Sequence, residues 1–222
     1  MNKLKYDLVV FDWDGTVMDT TATITAGFRH AASVMGLPVP TEEAARSVIG
    51  LDWASAIAKI LPTCPVEDYE RFREIYWKWY VPHEKEVVLF PGMRELIGTL
   101  GKLGVRRAIA TGKSREGLNR VFALTGLESE FDSTQTATEC LAKPNADMLE
   151  KIEIELGIPA SRTLMIGDTT HDVHMAHRYG CDVAAMTYGA SPLSDLEASE
   201  PTYICHSVRE LADILGLGET TA

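Results

Sequence analysis

The chain has 222 residues, 45% hydrophobic and 24% charged, enough apolar material for one large domain or a domain carrying an insertion. Lys and Arg total 21 against 32 Asp and Glu, a formal net charge of −11. That excess argues against nucleic acid or an anionic membrane as the main partner, while a local cation can still receive a small anionic substrate.

The chain start carries Lys3 and Lys5, and Asp7 and Asp12 break any long apolar run, so it reads as neither a signal peptide nor a membrane span. An apolar strand is predicted over residues 6–11, stopping at Asp12-Trp13-Asp14-Gly15-Thr16. Two carboxylates at the end of a buried strand are costly unless something neutralises them. Residues 18–87 are mostly helical in pattern, over 22–35, 41–47, 54–61 and 66–80, with breakers at Gly36-Leu37-Pro38, Leu61-Pro62 and Cys64-Pro65. Asp19-Thr20 reads as the N-cap of the first helix. The stripe Tyr69, Phe72, Ile75, Tyr76, Trp79 and Tyr80 reads as internal packing.

Pro91-Gly92 leads a helix through Met93, Leu96, Ile97, Leu100 and Leu103 that Gly104 ends. Further strands are predicted at 105–110, 163–166, 182–187 and, more weakly, 202–205. Helices alternate with them. One follows an N-cap at Ser114 and carries Leu118, Val121 and Phe122; another carries Met148, Ile152 and Leu156 and ends at Gly157. Over ninety residues separate the first two strands, where a crossover needs only ~10–12. The pattern predicts an α/β fold: a parallel sheet flanked by helices, from residues 1–17 and 88–222, with residues 18–87 inserted as a helical domain over the sheet's carboxyl end. Cys64, Cys140, Cys181 and Cys205 form no C-x-x-C and read as small hydrophobes in a cytosolic protein.

Ligands of open α/β sheets bind beyond the carboxyl ends of the strands. Asp12 and Asp14, Thr111-Gly112-Lys113 and Asp168 with Asp172 gather there, joined by Lys143-Pro144, expected in an extended lead-in to a helix. Asp12, Asp168 and a backbone carbonyl near Asp14 offer hard oxygens for Mg²⁺. A carboxylate beside the metal can attack phosphorus, and a second one can protonate the leaving oxygen. Thr111 with the Gly112 amide can bind phosphoryl oxygens, and Lys143 can neutralise charge. Other readings fail on single positions. Arg107 stands where a P-loop needs Gly, and Val17 where an EF-hand loop needs Gly. Lys113 is then a solvated or substrate-facing charge, and His171, His174 and His177 are solvated surface groups. Arg46 and Trp53, flanking Ile49-Gly50-Leu51, are candidates for substrate selection.

D-W-D-G-T, the Thr111 strand end, Lys143-Pro144 and G-D-T-T-H-D resemble, in order, the four motifs of the haloacid dehalogenase-like superfamily, over about residues 6–215. The insertion resembles that superfamily's first type of helical cap, in the branch of phosphoglycolate phosphatases and beta-phosphoglucomutases. The resemblance implies a Rossmann-like core, with Asp12 as nucleophile and Mg²⁺ ligand. It makes Asp14 the acid/base that also lends its carbonyl to the metal, and Asp168 the other carboxylate ligand. Asp172 supports the metal waters or Lys143, and Gly15, Thr111, Gly112 and Lys143 hold the phosphoryl group. Dehalogenase members lack the second aspartate, so Asp14 favours phosphoryl transfer. The expected function is a phosphoric monoester hydrolase acting on a small phosphorylated metabolite through an aspartyl-phosphate, resembling phosphoglycolate phosphatase. The alternatives are a phosphomutase and a non-catalytic phospho-acceptor or interaction protein. Receiver-type acceptors, however, follow a later strand.

Overall fold

A computed structural model describes residues 4–218; residues 1–3 and 219–222, the outermost parts of the expected core and of the chain start, lie outside it. Its parallel sheet comprises β1 (Leu8–Phe11), β2 (Arg106–Thr111), β3 (Ser133–Thr136), β4 (Thr163–Gly167), β5 (Asp182–Met186) and β6 (Tyr203–Cys205), in the order β3-β2-β1-β4-β5-β6. From β1 the chain builds outward to β2 and β3, then returns to β1's other side with β4. Phe11 consequently lies between Ile109 and Ile166, and the crevice where the strand order reverses opens directly beyond it.

Strand β3 departs from expectation, because its sequence S-T-Q-T carries no apolar signal. It is an edge strand whose polar groups are matched locally. Gln135 Nε2 donates to Glu155 at 2.8 Å, Ser133 bonds the same carboxylate, and Thr136 Oγ1 donates to Glu139 at 2.8 Å. Satisfied polar side chains make the strand affordable without apolar burial.

Between β1 and β2 come α1 (Thr21–Val34), α2 (Glu42–Arg46), α3 (Trp53–Ile60), α4 (Tyr69–Glu84) and α5 (Met93–Lys102). The first four share an apolar cluster that includes Ile24, Phe28, Ile57, Phe72, Tyr76 and Tyr80. Thr41 and Asp52 cap α2 and α3, accepting from Ala44 N and Ser55 N at 3.1 and 3.0 Å. At α1 the N-cap is Thr20, whose side chain makes no capping bond to the helix, and Asp19 is exposed. The chain enters and leaves this helical unit side by side: Met18 bridges antiparallel to Leu89, and Asp19 N donates to Val88 O at 3.0 Å.

Helix α4 follows a 3-10 turn at Val66–Asp68 and runs past the expected end at 80, through Pro82, to Glu84. Proline removes one amide donor, but the next turn is held from outside. The buried Glu84 carboxylate accepts from Arg120 Nε at 3.1 Å and lies 3.6 Å from Lys113 Nζ.

The remaining helices are α6 (Arg115–Thr125), α7 (Asp147–Leu156), α8 (Thr170–Tyr179), α9 (Leu193–Ala198) and α10 (Val208–Ile214). Alternation along β1 sorts the two faces of the sheet. Val9 and Phe11 pack with apolar residues of α5, α6 and α10, and Leu8 and Val10 with those of α7, α8 and α9. No helix among the described residues is long and apolar enough to cross a membrane, and all four cysteines are free thiols.

Candidate active site

Asp12 and Asp14 diverge because Trp13, between them, is driven into the core. Its indole is fully buried and meets Phe122 edge-on at 5.3 Å and Phe131 at 6.3 Å. Aromatic burial of this size is worth several kcal/mol on truncation (about 3–5) and makes the loop a rigid platform.

Asp12 lies on the metal-like side. Its Oδ1 accepts from Trp13 N at 2.7 Å and is 3.0 Å from Lys143 Nζ, while its Oδ2 is buried without a hydrogen-bond partner. Lys143 also reaches Asp172 Oδ1 at 2.6 Å, and Asp172 Oδ2 accepts from Thr169 N and Oγ1 at 3.0 and 2.7 Å, closing the capping box of α8. Asp168 accepts from Thr16 Oγ1 and Ala190 N, each at 2.7 Å. Ligand oxygens of Asp12, Asp168 and Asp172 lie within 4.8 Å of one another, all buried. Burial pushes the Asp12 carboxyl up to about 7 although Lys143 opposes it; burial and then Asp12 and Asp172 push Asp168 well above the carboxylate range. Lys143 stays charged because its two carboxylates outweigh burial.

With all three carboxylates ionised, one ammonium would leave two buried charges uncompensated, and one oxygen has no donor at all. This donor set fits a divalent cation bound by hard oxygens. Gly15, at φ +78, allows the approach: a Cβ there would stand 2.2 Å from Asp168 Oδ2. Gly15→Ala is expected to cost about 1–3 kcal/mol in strain and to shrink the rise in melting temperature that a divalent cation produces. Thermal melts with and without the cation check this.

Asp14 lies on the other side and takes Lys113 Nζ at 2.7 and 3.0 Å on its two oxygens. Lys113 is buried, which corrects the expectation of a solvated charge, and it lines the cavity beside Asp14. Burial alone would discharge it, but Asp14 and Glu84 hold the ammonium above its ordinary value. The chain Asp14–Lys113–Glu84–Arg120 thus joins the strand-end loops to α4 and α6. Sequence reasoning missed Glu84 and Thr16 as site groups, and the pairing of Lys113 with Asp14. Only Thr16 carried a signal, as the last residue of D-W-D-G-T.

Residues 9–186 match the sequence family described as haloacid dehalogenase-like hydrolase. The chain belongs to that family. Among relatives of this haloacid dehalogenase-like hydrolase is "Probable phosphatase IndB" of Dickeya dadantii, 32% identical over 92% of this chain and 91% of the other. Tyrosine-protein kinase PtkA of Mycobacterium tuberculosis is 29% identical over 95% of this chain and 72% of its own. Phosphoglycolate phosphatase of Vibrio parahaemolyticus is 25% identical over 98% and 99% of the two chains. The crystal structure of a hydrolase from Pseudomonas syringae superposes with a TM-score of 0.85 at 22% identity, covering 96% of this chain and 99% of that one, and shows the same fold.

The other expected residues of the hydrolase fall as follows. Thr111 ends β2, fully buried, and its Oγ1 accepts from Lys113 N at 3.2 Å. Ser114 caps α6 as expected, accepting from Gly117 N at 3.1 Å. Gly112 touches the helical unit directly: a Cβ on it would stand 2.8 Å from Gly50 O. Lys143 sits in a turn closed by Asn145 N donating to Ala142 O at 3.0 Å, not in an extended lead-in. Asp12, Asp14, Thr111, Gly112 and Trp53 line one cavity of about 850 Å³. Arg46 does not line it; it donates to Gly189 O at 2.6 Å and borders a second cavity with His171. His174 and His177 are exposed, whereas His171 is half-buried.

Proposed function

We propose that the protein is a Mg²⁺-dependent phosphatase of small phosphomonoesters working through an aspartyl-phosphate. In this reading residues 18–87 act as a cap domain over a core of residues 1–17 and 88–222. The observation that most supports it is Asp12 Oδ2, a buried carboxylate oxygen without a donor at the strand-order reversal, beside Lys143 and two more carboxylates. The match to the hydrolase family and the phosphatase names of relatives point the same way. The four free thiols favour the cytosol.

Asp12, Asp168 and the backbone carbonyl of Asp14 would hold Mg²⁺, which would supply positive charge against the phosphoryl oxygens when bound. In the first step an Asp12 oxygen bonds to phosphorus while the ester P–O bond breaks, and protonated Asp14 gives its proton to the departing oxygen. Water then attacks phosphorus and yields a proton to Asp14; the bond to Asp12 breaks and phosphate departs. Thr111 and the amide of Gly112 hold the phosphoryl oxygens, and Lys143 offsets charge on nucleophile and phosphoryl group. Gly15, whose amide donates to Met18 O at 2.9 Å, shapes the loop beside them. Asp172 orients Lys143, which it meets at 2.6 Å. Paired with Lys113, Asp14 is set as the base of the second step; acting as the acid requires release from that ion pair.

Phosphate release from a panel of phosphomonoesters tests the reading. Turnover is expected to vanish with EDTA and return with excess Mg²⁺; indifference to chelation would remove the metal. Isomer formed from a hexose phosphate without phosphate release would make the enzyme a mutase instead.

A further inference from the structure

The cavity that opens from Asp12 and Asp14 has about 850 Å³, near the upper end of the ~300–1,000 Å³ typical of ligand pockets. A two-carbon leaving group such as glycolate leaves most of it filled with water. Its far wall is a column of planar groups. Phe28 stacks on Trp53 at 5.3 Å and 23°, Trp53 faces Trp77 at 6.3 Å and 21°, and the Arg120 guanidinium lies 4.7 Å over Trp77. The widest interval in this column is the one between the two indoles.

Charge narrows the choice further. Each of the four cations lining the cavity faces a carboxylate, Lys113 with Asp14 and Glu84, Arg73 with Glu70, Arg115 with Glu139 and Arg120 with Glu84, and Asp52, Glu74 and Glu116 line it as well. A leaving group with its own carboxylate or phosphate therefore meets more negative than positive groups on the wall. Neutral hydrogen-bond acceptors meet a different situation, because Trp53 Nε1 and Arg120 Nη2 are buried donors without hydrogen-bond partners. A buried donor left unmet is costly, and a ring oxygen or nitrogen would satisfy it.

We propose that the leaving group this site selects is an uncharged planar ring bearing hydrogen-bond acceptors, received at the Trp53–Trp77 wall while the phosphate meets Asp12. Stacking on aromatic faces is sequence-tolerant for bases and equally open to aryl groups, so nucleoside and aryl phosphomonoesters share the chemistry. The inference rests on the phosphatase reading above and deepens it by naming the substrate class.

Four esters test it with wild-type enzyme and Mg²⁺: uridine 5′-monophosphate, phenyl phosphate, glycerol 3-phosphate and 2-phosphoglycolate. Both ring esters are expected to exceed the ringless ones in kcat/KM, by roughly 10–100-fold for the better of the two. Uridine 5′-monophosphate ahead of phenyl phosphate identifies a base-like ring with acceptors; the reverse order leaves the ring and overturns the acceptor requirement. Trp77→Ala should lower kcat/KM for the ring esters about tenfold more than for glycerol 3-phosphate. Turnover of the ringless esters as good as that of the ring esters overturns the ring and leaves the phosphatase reading standing. If no ester is hydrolysed, that reading fails, and calorimetric binding to the wild type decides the ring: tighter uridine 5′-monophosphate than glycerol 3-phosphate supports it, and equal affinity overturns it.

Discussion

Asp12→Asn is expected to keep the fold and lose at least ~10⁴-fold in phosphomonoester turnover. The amide has nearly the same shape as the carboxylate, but its oxygen is too poor a nucleophile to bond to phosphorus. The fold should tolerate it, because burial already pushes the Asp12 carboxyl up to about 7, so a neutral side chain removes a strained charge. Lys143 keeps its 2.6 Å bond to Asp172 in the variant. Unchanged melting together with lost phosphate release is the result that assigns the role. Activity comparable with the wild type would take the nucleophile's role from Asp12.

The second large effect concerns stability. Lys143→Met fills the same space but leaves Asp12 and Asp172 without the one ammonium between them. Breaking a buried pair in this way costs about 3–5 kcal/mol, or roughly 6–20 °C in melting temperature for a chain of this size. The pH dependence follows from the raised carboxyl. The folded state holds the Asp12 proton up to about 7, whereas the reference value is 3.8, so this group favours folding at low pH and progressively loses that contribution as pH rises between those values. The deficit of Lys143→Met should therefore be greater at pH 8 than at pH 5. Magnesium should narrow the gap at pH 8, since a divalent cation replaces the missing charge. Melts at the two pH values, with and without Mg²⁺, decide this. An equal deficit at both would mean that Lys143 stabilises by packing alone.

The strands that carry chemistry were legible because they are buried on both faces and read as unbroken apolar runs, as L-V-V-F and T-L-M-I do. Strand β3 was not, since an edge strand can meet its needs through Glu155 and Glu139, whose positions depend on the fold. In the site, the carboxylates and Lys143 were found because each closes a strand or loop at the same end of the sheet. The ion pair of Lys113 was hidden for the opposite reason. Nothing local in T-G-K-S shows that its ammonium reaches 99 positions back to Asp14, so the choice between a solvated and a substrate-facing lysine stayed open. Trp77 lay outside the predicted stripe of α4, although it lines the same cavity as Tyr76 and Tyr80 of that stripe: helical periodicity marks the buried face and not the cavity that opens at its edge.

The paired crossing at Met18 and Leu89 has a mechanical consequence. Two backbone segments bonded side by side offer one line about which a hinge motion of the helical unit would run. Displacement in such a motion grows with distance from that line. Glu84 lies only a few residues before the crossing, so its hold on Lys113 should persist through the arc. On the proposed reading, the close Gly50–Gly112 approach and the Arg46–Gly189 hydrogen bond are the contacts that would part for the enclosure to open.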